Sequence, residues 1–117
     1  MMTPWTKVRV YLATRPCDMR KGLDGLAAQV RNVLAADPCS GSLFVFRGRR
    51  DDMLKILAWD GSGLCLFSKR LERGRFVWPP IVDGRLLLTP AQLALLIEGI
   101  DWRRTVMPEP VKRPQAV

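Results

Sequence analysis

The chain has 117 residues with 19 Lys+Arg against 11 Asp+Glu, a net charge of +8, no histidine, three cysteines and 48% hydrophobic residues. That length fits one domain with a real core, and an apolar content of this size belongs to a folding chain. The absence of histidine excludes imidazole acid–base catalysis, Ser-His-Asp hydrolysis and any metal site that needs a His ligand, while the positive balance points to a polyanionic partner, nucleic acid before an anionic membrane.

Residues 8–14 alternate weakly and are rich in β-branched and aromatic side chains, which predicts a first strand. A helix is predicted over residues 18–36, because Met19, Leu23, Leu26, Val30 and Val33 recur at spacings of three and four. Asp18 is placed to cap it. Gly22 and Gly25 cost about 1 kcal/mol each inside a helix, so either the regular helix starts near Asp24 or the glycines allow close approach. The run Asp37-Pro38-Cys39-Ser40-Gly41 breaks the chain.

Three strand-like runs follow, Leu43–Arg47, Met53–Trp59 and Leu64–Arg70. Connections of four or five residues make them antiparallel neighbours in a meander. Phe44 and Phe46 share one face of the first run, and Lys55 shares a face with Leu57 and Trp59 in the second. Beyond an irregular or hairpin stretch, Thr89-Pro90-Ala91-Gln92 carries a Thr N-cap, a Pro at the first helical position and a Gln that completes a capping box. Leu93, Leu96, Ile97 and Ile100 then form an apolar face, with Gly99 near the stop.

The expected fold is α+β. It is a small single domain over residues 1–104, an antiparallel three- to five-stranded meander packed against an amino-terminal helix, with a carboxy-terminal helix. Residues 105–117 read as a Pro-rich, disordered tail. Cys17, Cys39 and Cys65 form neither a disulfide framework nor a thiolate zinc motif, and no apolar run has the length of a membrane span. A cytoplasmic location follows from that reading, nucleoid-associated if the chain binds DNA.

Eight cations crowd the segment 47–75: Arg47, Arg49, Arg50, Lys55, Lys69, Arg70, Arg73 and Arg75. In a meander the first hairpin turn and the exit of the third strand lie at the same end of the sheet, so the two sets should converge. Arginine supplies 14 of the 19 cations, which suits bidentate phosphate or guanine contact. The plain alternative is a solvated charged face with Asp51, Asp52 and Glu72 as internal partners. Arg20 and Lys21, beside a helix start, add a further phosphate seat. Trp78, before Pro79-Pro80, is either a stacking platform or a core residue at the sheet edge. The carboxylates, Asp18, Asp51, Asp52 and Asp60 among them, suffice in number for a metal-dependent nuclease, but Asp60 is placed at the opposite sheet end from Asp51 and Asp52. No cofactor is implied.

Several ordered blocks carry a resemblance. Arg15-Pro16-Cys17-Asp18-Met19-Arg20-Lys21-Gly22, Asp24-Gly25-Leu26, Leu43-Phe44-Val45-Phe46-Arg47-Gly48-Arg49-Arg50, Trp59-Asp60-Gly61, Lys69-Arg70-Leu71-Glu72-Arg73-Gly74-Arg75-Phe76, Trp78-Pro79 and Gly99-Ile100-Asp101-Trp102 follow in sequence. Over residues 8–104 the chain resembles the TnpB-type (Orf2-like) accessory proteins of the IS66 class of bacterial insertion sequences. The resemblance implies a small non-catalytic partner of a separate DDE-type transposase, and of a companion accessory protein, encoded in the same mobile element. Two functions remain open on the residues: a DNA-binding accessory subunit, or a module that grips the transposase without touching DNA.

Overall fold

The computed structural model describes residues 8–82 and 85–105. Five strands, β1 (Val10–Ala13), β2 (Leu43–Arg47), β3 (Met53–Trp59), β4 (Leu64–Arg70) and β5 (Arg85–Leu88), form one sheet in the order β4-β3-β2-β1-β5. Two helices, α1 (Leu23–Asn32) and α2 (Pro90–Ile97), and a final 3-10 turn (Trp102–Thr105) complete it. The three meander strands have the predicted bounds and antiparallel pairing.

The sheet as a whole is mixed, which corrects the antiparallel expectation: β1 runs parallel to β2 and antiparallel to β5. The reason is the α1 crossover. A helix between two strands returns the chain to the end where it started, so the next strand lies parallel. This puts β1 inside the sheet, where Tyr11 stacks on Phe44 with ring centroids 5.6 Å apart.

Strand alternation then divides the core into two layers. Ala13, Phe44, Phe46 and Leu57 face Leu26, Ala27 and Val30 of α1, and Leu34 just beyond it. Val10, Leu12, Val45, Leu54, Ile56 and Leu88 face the other way, onto Leu93 and Leu96 of α2 and onto Phe76, Trp78 and Trp102. With helices on both sides, the inner strands read as nearly continuous apolar runs, as β2 does.

The α1 prediction was too long at both ends, since the helix runs Leu23–Asn32 with Val33 as its C-cap. Gly22 occupies the N-cap position with extended backbone and no side-chain cap. Asp18 instead builds the preceding turn, its carboxylate accepting the Arg20 backbone N–H at 2.9 Å. Met19 therefore lies outside the helix, and Leu23 and Val33 are exposed, leaving Leu26, Ala27 and Val30 as the buried stripe. For α2 the capping box is present as read: the Thr89 hydroxyl accepts from Gln92 N–H and the Gln92 side chain from Thr89 N–H. Ile100, expected on the apolar face, is exposed, because Gly99 at φ +72° has already turned the chain away. Of the expected tail, residues 106–117 lie outside the described residues.

Candidate nucleic-acid interface

The two basic loops do meet. Leu71 N–H donates to Asp52 O at 2.8 Å and Phe76 N–H to Asp51 O at 2.7 Å, fastening the chain leaving β4 against the β2–β3 turn. These bonds extend the ladder that pairs Met53 with Arg70. Arg49 and Arg50 project from the turn, and Arg73 and Arg75 from the segment after β4. All four are exposed, and their guanidinium groups make no hydrogen bond or ion pair among the described residues.

Three cations of the expected cluster are turned inward. Arg47 is half-buried and donates to Thr14 O at 3.2 Å and Pro79 O at 3.3 Å. It also pairs with Asp51 at 3.5 Å and lies over the Trp78 ring at 5.2 Å from its centroid. Lys55 Nζ donates to Lys21 O at 2.9 Å at the entrance to α1. Lys69 Nζ donates to Ile97 O at 2.8 Å, where the carbonyls at the end of α2 gather negative charge. Strand alternation is the cause: Arg47 shares a face with Val45, Lys55 with Leu57 and Lys69 with Phe67, and each of these faces carries a helix over part of its area.

The rest are intermediate. Arg70 approaches Glu72 at 3.8 Å with both side chains exposed, which contributes little. Lys21 Nζ donates to Gln29 Oε1 at 3.0 Å. Arg20 is almost fully exposed and holds Asp18 through both carboxylate oxygens. Those Arg20 bonds, with the Arg49 charge nearby, keep the Asp18 carboxyl well below the usual carboxylate range. Trp78 is buried at 8% exposure, tilted against Phe76 and covered by Arg47, so it is a core residue and offers no stacking platform.

One feature of this end went unread in the sequence. A cleft of about 350 Å³ lies between the Asp18–Arg20 turn and the β2–β3 turn, lined by the buried Cys17 and Gly48, by Met19 and Met53, and by the exposed Arg20, Arg49 and Arg50. Gly48 permits the close packing of Met19 beside it, since a Cβ there would stand 2.7 Å from Met19 Cγ. Asp60 lies at the far end of the sheet from Asp51 and Asp52, its carboxylate taken up by Ser62 and Gly63 N–H. Among the described residues no three His, Cys, Asp or Glu side chains gather as a metal site, and no helix is long and apolar enough to cross a membrane.

Comparison with known proteins places these features in a family. Two proteins of Sinorhizobium fredii (strain NBRC 101917 / NGR234), "Uncharacterized protein y4jC" and "Uncharacterized protein y4hO", are 47% and 49% identical to this chain. Each alignment covers all 117 residues and 99% of the relative. No solved structure matches the chain. The family model described as "IS66 Orf2 like protein" (TnpB_IS66) matches residues 8–107, which include every strand, both helices and both basic loops. The chain therefore belongs to the IS66 Orf2-like family, the group of insertion-sequence accessory proteins to which its ordered sequence blocks had pointed.

Proposed function

We propose that this protein is a non-catalytic accessory subunit of transposition. It binds DNA through phosphate contacts from Arg49, Arg50, Arg73 and Arg75 and so assists the transposase of its element. The observation that carries the reading is the pair of backbone bonds, Leu71 to Asp52 and Phe76 to Asp51, that fastens two basic loops together. The four exposed guanidiniums make no ion pair among the described residues and gain nothing from one another, since like charges repel. Gathered at one end of the sheet, they make a positive field that attracts a polyanion. In the described α-helices Arg, Asn and Gln are limited to Gln29, Arg31 and Asn32 at the end of α1 and Gln92 in the α2 cap, so contact is dominated by the sugar–phosphate backbone.

A salt titration tests it. Four neutralised phosphates give a slope of log K against log salt near about −3.6. Duplex binding with no salt dependence, or none at low salt, ends the reading. A second reading, a module that grips the transposase or the companion accessory protein, is favoured by an apolar groove of about 300 Å³ where Pro90, Leu93 and Ile97 of α2 meet Val8, Val10 and Leu43. Charge reversal of Arg49 and Arg50 separates the two: it abolishes DNA binding under the first, and it leaves a pull-down with the transposase intact under both.

A further inference from the structure

The cleft beside the β2–β3 turn has a chemistry that phosphate contact alone does not explain. Met19 and Met53 line it and pack against Gly48, whose missing Cβ is what allows Met19 to come so close, and the buried Cys17 lines it as well. Thioethers give an anion no hydrogen bond, but they are polarizable and pack well on aromatic faces. The exposed Arg20, Arg49 and Arg50 line the cleft too. Asp18 also lines it, its carboxylate already accepting from the Arg20 backbone and guanidinium N–H groups.

Size narrows the occupant further. About 350 Å³ is at the lower end of the ~300–1,000 Å³ range of ligand pockets. A duplex cannot enter such a space, whereas a single base turned out of the stack can. Position fits as well: Arg49 and Arg50 belong both to the cleft lining and to the basic loops, so a strand held on those loops passes the cleft.

We propose that this cleft receives one unpaired nucleotide of a DNA strand, its base over Met19 and Met53 and its phosphate against Arg49 and Arg50. This rests on the DNA-binding reading and adds a preference to it: distorted or unpaired DNA over intact duplex.

The test uses the full chain labelled at its methionine methyls, with the Met19 and Met53 signals assigned through Met19→Leu and Met53→Leu. Four probes are titrated: a short duplex, the same duplex with one bulged nucleotide, inorganic phosphate, and a Glu-rich peptide with a single Phe. The expected result is roughly tenfold tighter binding of the bulged duplex, within the worth of one stacked base. Both methyl signals should shift with that probe and stay in place with the other three. Equal affinity for both duplexes with unmoved methyls overturns the cleft assignment while salt-dependent DNA binding stands. Failure to bind either duplex overturns both. Equal methyl shifts with phosphate make the cleft a plain anion site, and shifts with the peptide alone make it a peptide site; either overturns the proposal.

Discussion

Arg47 fills the space between the end of β2 and the chain around Pro79, and its guanidinium is the donor for two carbonyls of separate segments. Arg47→Ala leaves Thr14 O and Pro79 O without it and uncovers the Trp78 ring. The expected cost is about 2–3 kcal/mol, from lost charged hydrogen bonds and unsatisfied acceptors. In urea the midpoint should fall with the slope unchanged, while Arg49→Ala stays within about 0.5 kcal/mol of the parent. Equal stability of the two variants would show that Arg47 has no internal role. Part of this was legible, because strand alternation already puts Lys55 beside Leu57 and Arg47 beside Val45. The acceptors were not legible: Ile97 O lies 28 residues from Lys69 and Pro79 O lies 32 from Arg47, and only the fold brings them together.

At the level of the element, local chemistry decided what could be read. The bounds of β2, β3 and β4 followed from alternation between short turns, and the start of α2 from its capping box. Thr89→Ala removes the acceptor for Gln92 N–H and should cost about 1 kcal/mol, a fall of about 4 °C in Tm. A scanning calorimetry trace that does not move would mean the cap is redundant. The β3–β4 turn yields a pH prediction. N–H bonds from Ser62 and Gly63 lead in holding the Asp60 carboxyl down to about 2 from an ordinary 3.8. A depressed folded pKa stabilises above the unfolded value, so this contribution is present above about pH 4 and is lost as pH falls toward 2. Asp60→Asn should flatten that part of the stability curve and leave the rest in place; a curve parallel to the parent's from pH 5 to 2 refutes the linkage. The same Asp60 raises the Cys65 thiol by accepting its hydrogen bond, so Asp60→Asn should also speed Cys65 alkylation near pH 8. What stayed hidden at this scale was non-local. The α1 stripe was drawn through Met19 because spacing alone does not reveal that Asp18 closes a turn first. The parallel β1–β2 pair depends on a crossover whose path the periodicity of α1 does not specify.

Across the whole molecule, a net charge of +8 admits two explanations of DNA affinity. Either every cation contributes through a diffuse positive field, or a few whose guanidiniums stay in solvent neutralise specific phosphates. The fold makes them separable, since it sends Arg47, Lys55 and Lys69 inward and leaves Arg49, Arg50, Arg73 and Arg75 in solvent. Replacing each of the four exposed arginines by Ser in turn should reduce the salt slope by about 1 per residue, with the urea midpoint almost unchanged. Lys69→Met removes the same single charge, yet it takes a donor from Ile97 O and none from DNA. It should lower stability by about 1 kcal/mol and leave the slope where it was. A slope that falls equally for Lys69→Met and Arg73→Ser would mean total charge governs binding, and the fastening of the two loops would then have no part in holding DNA.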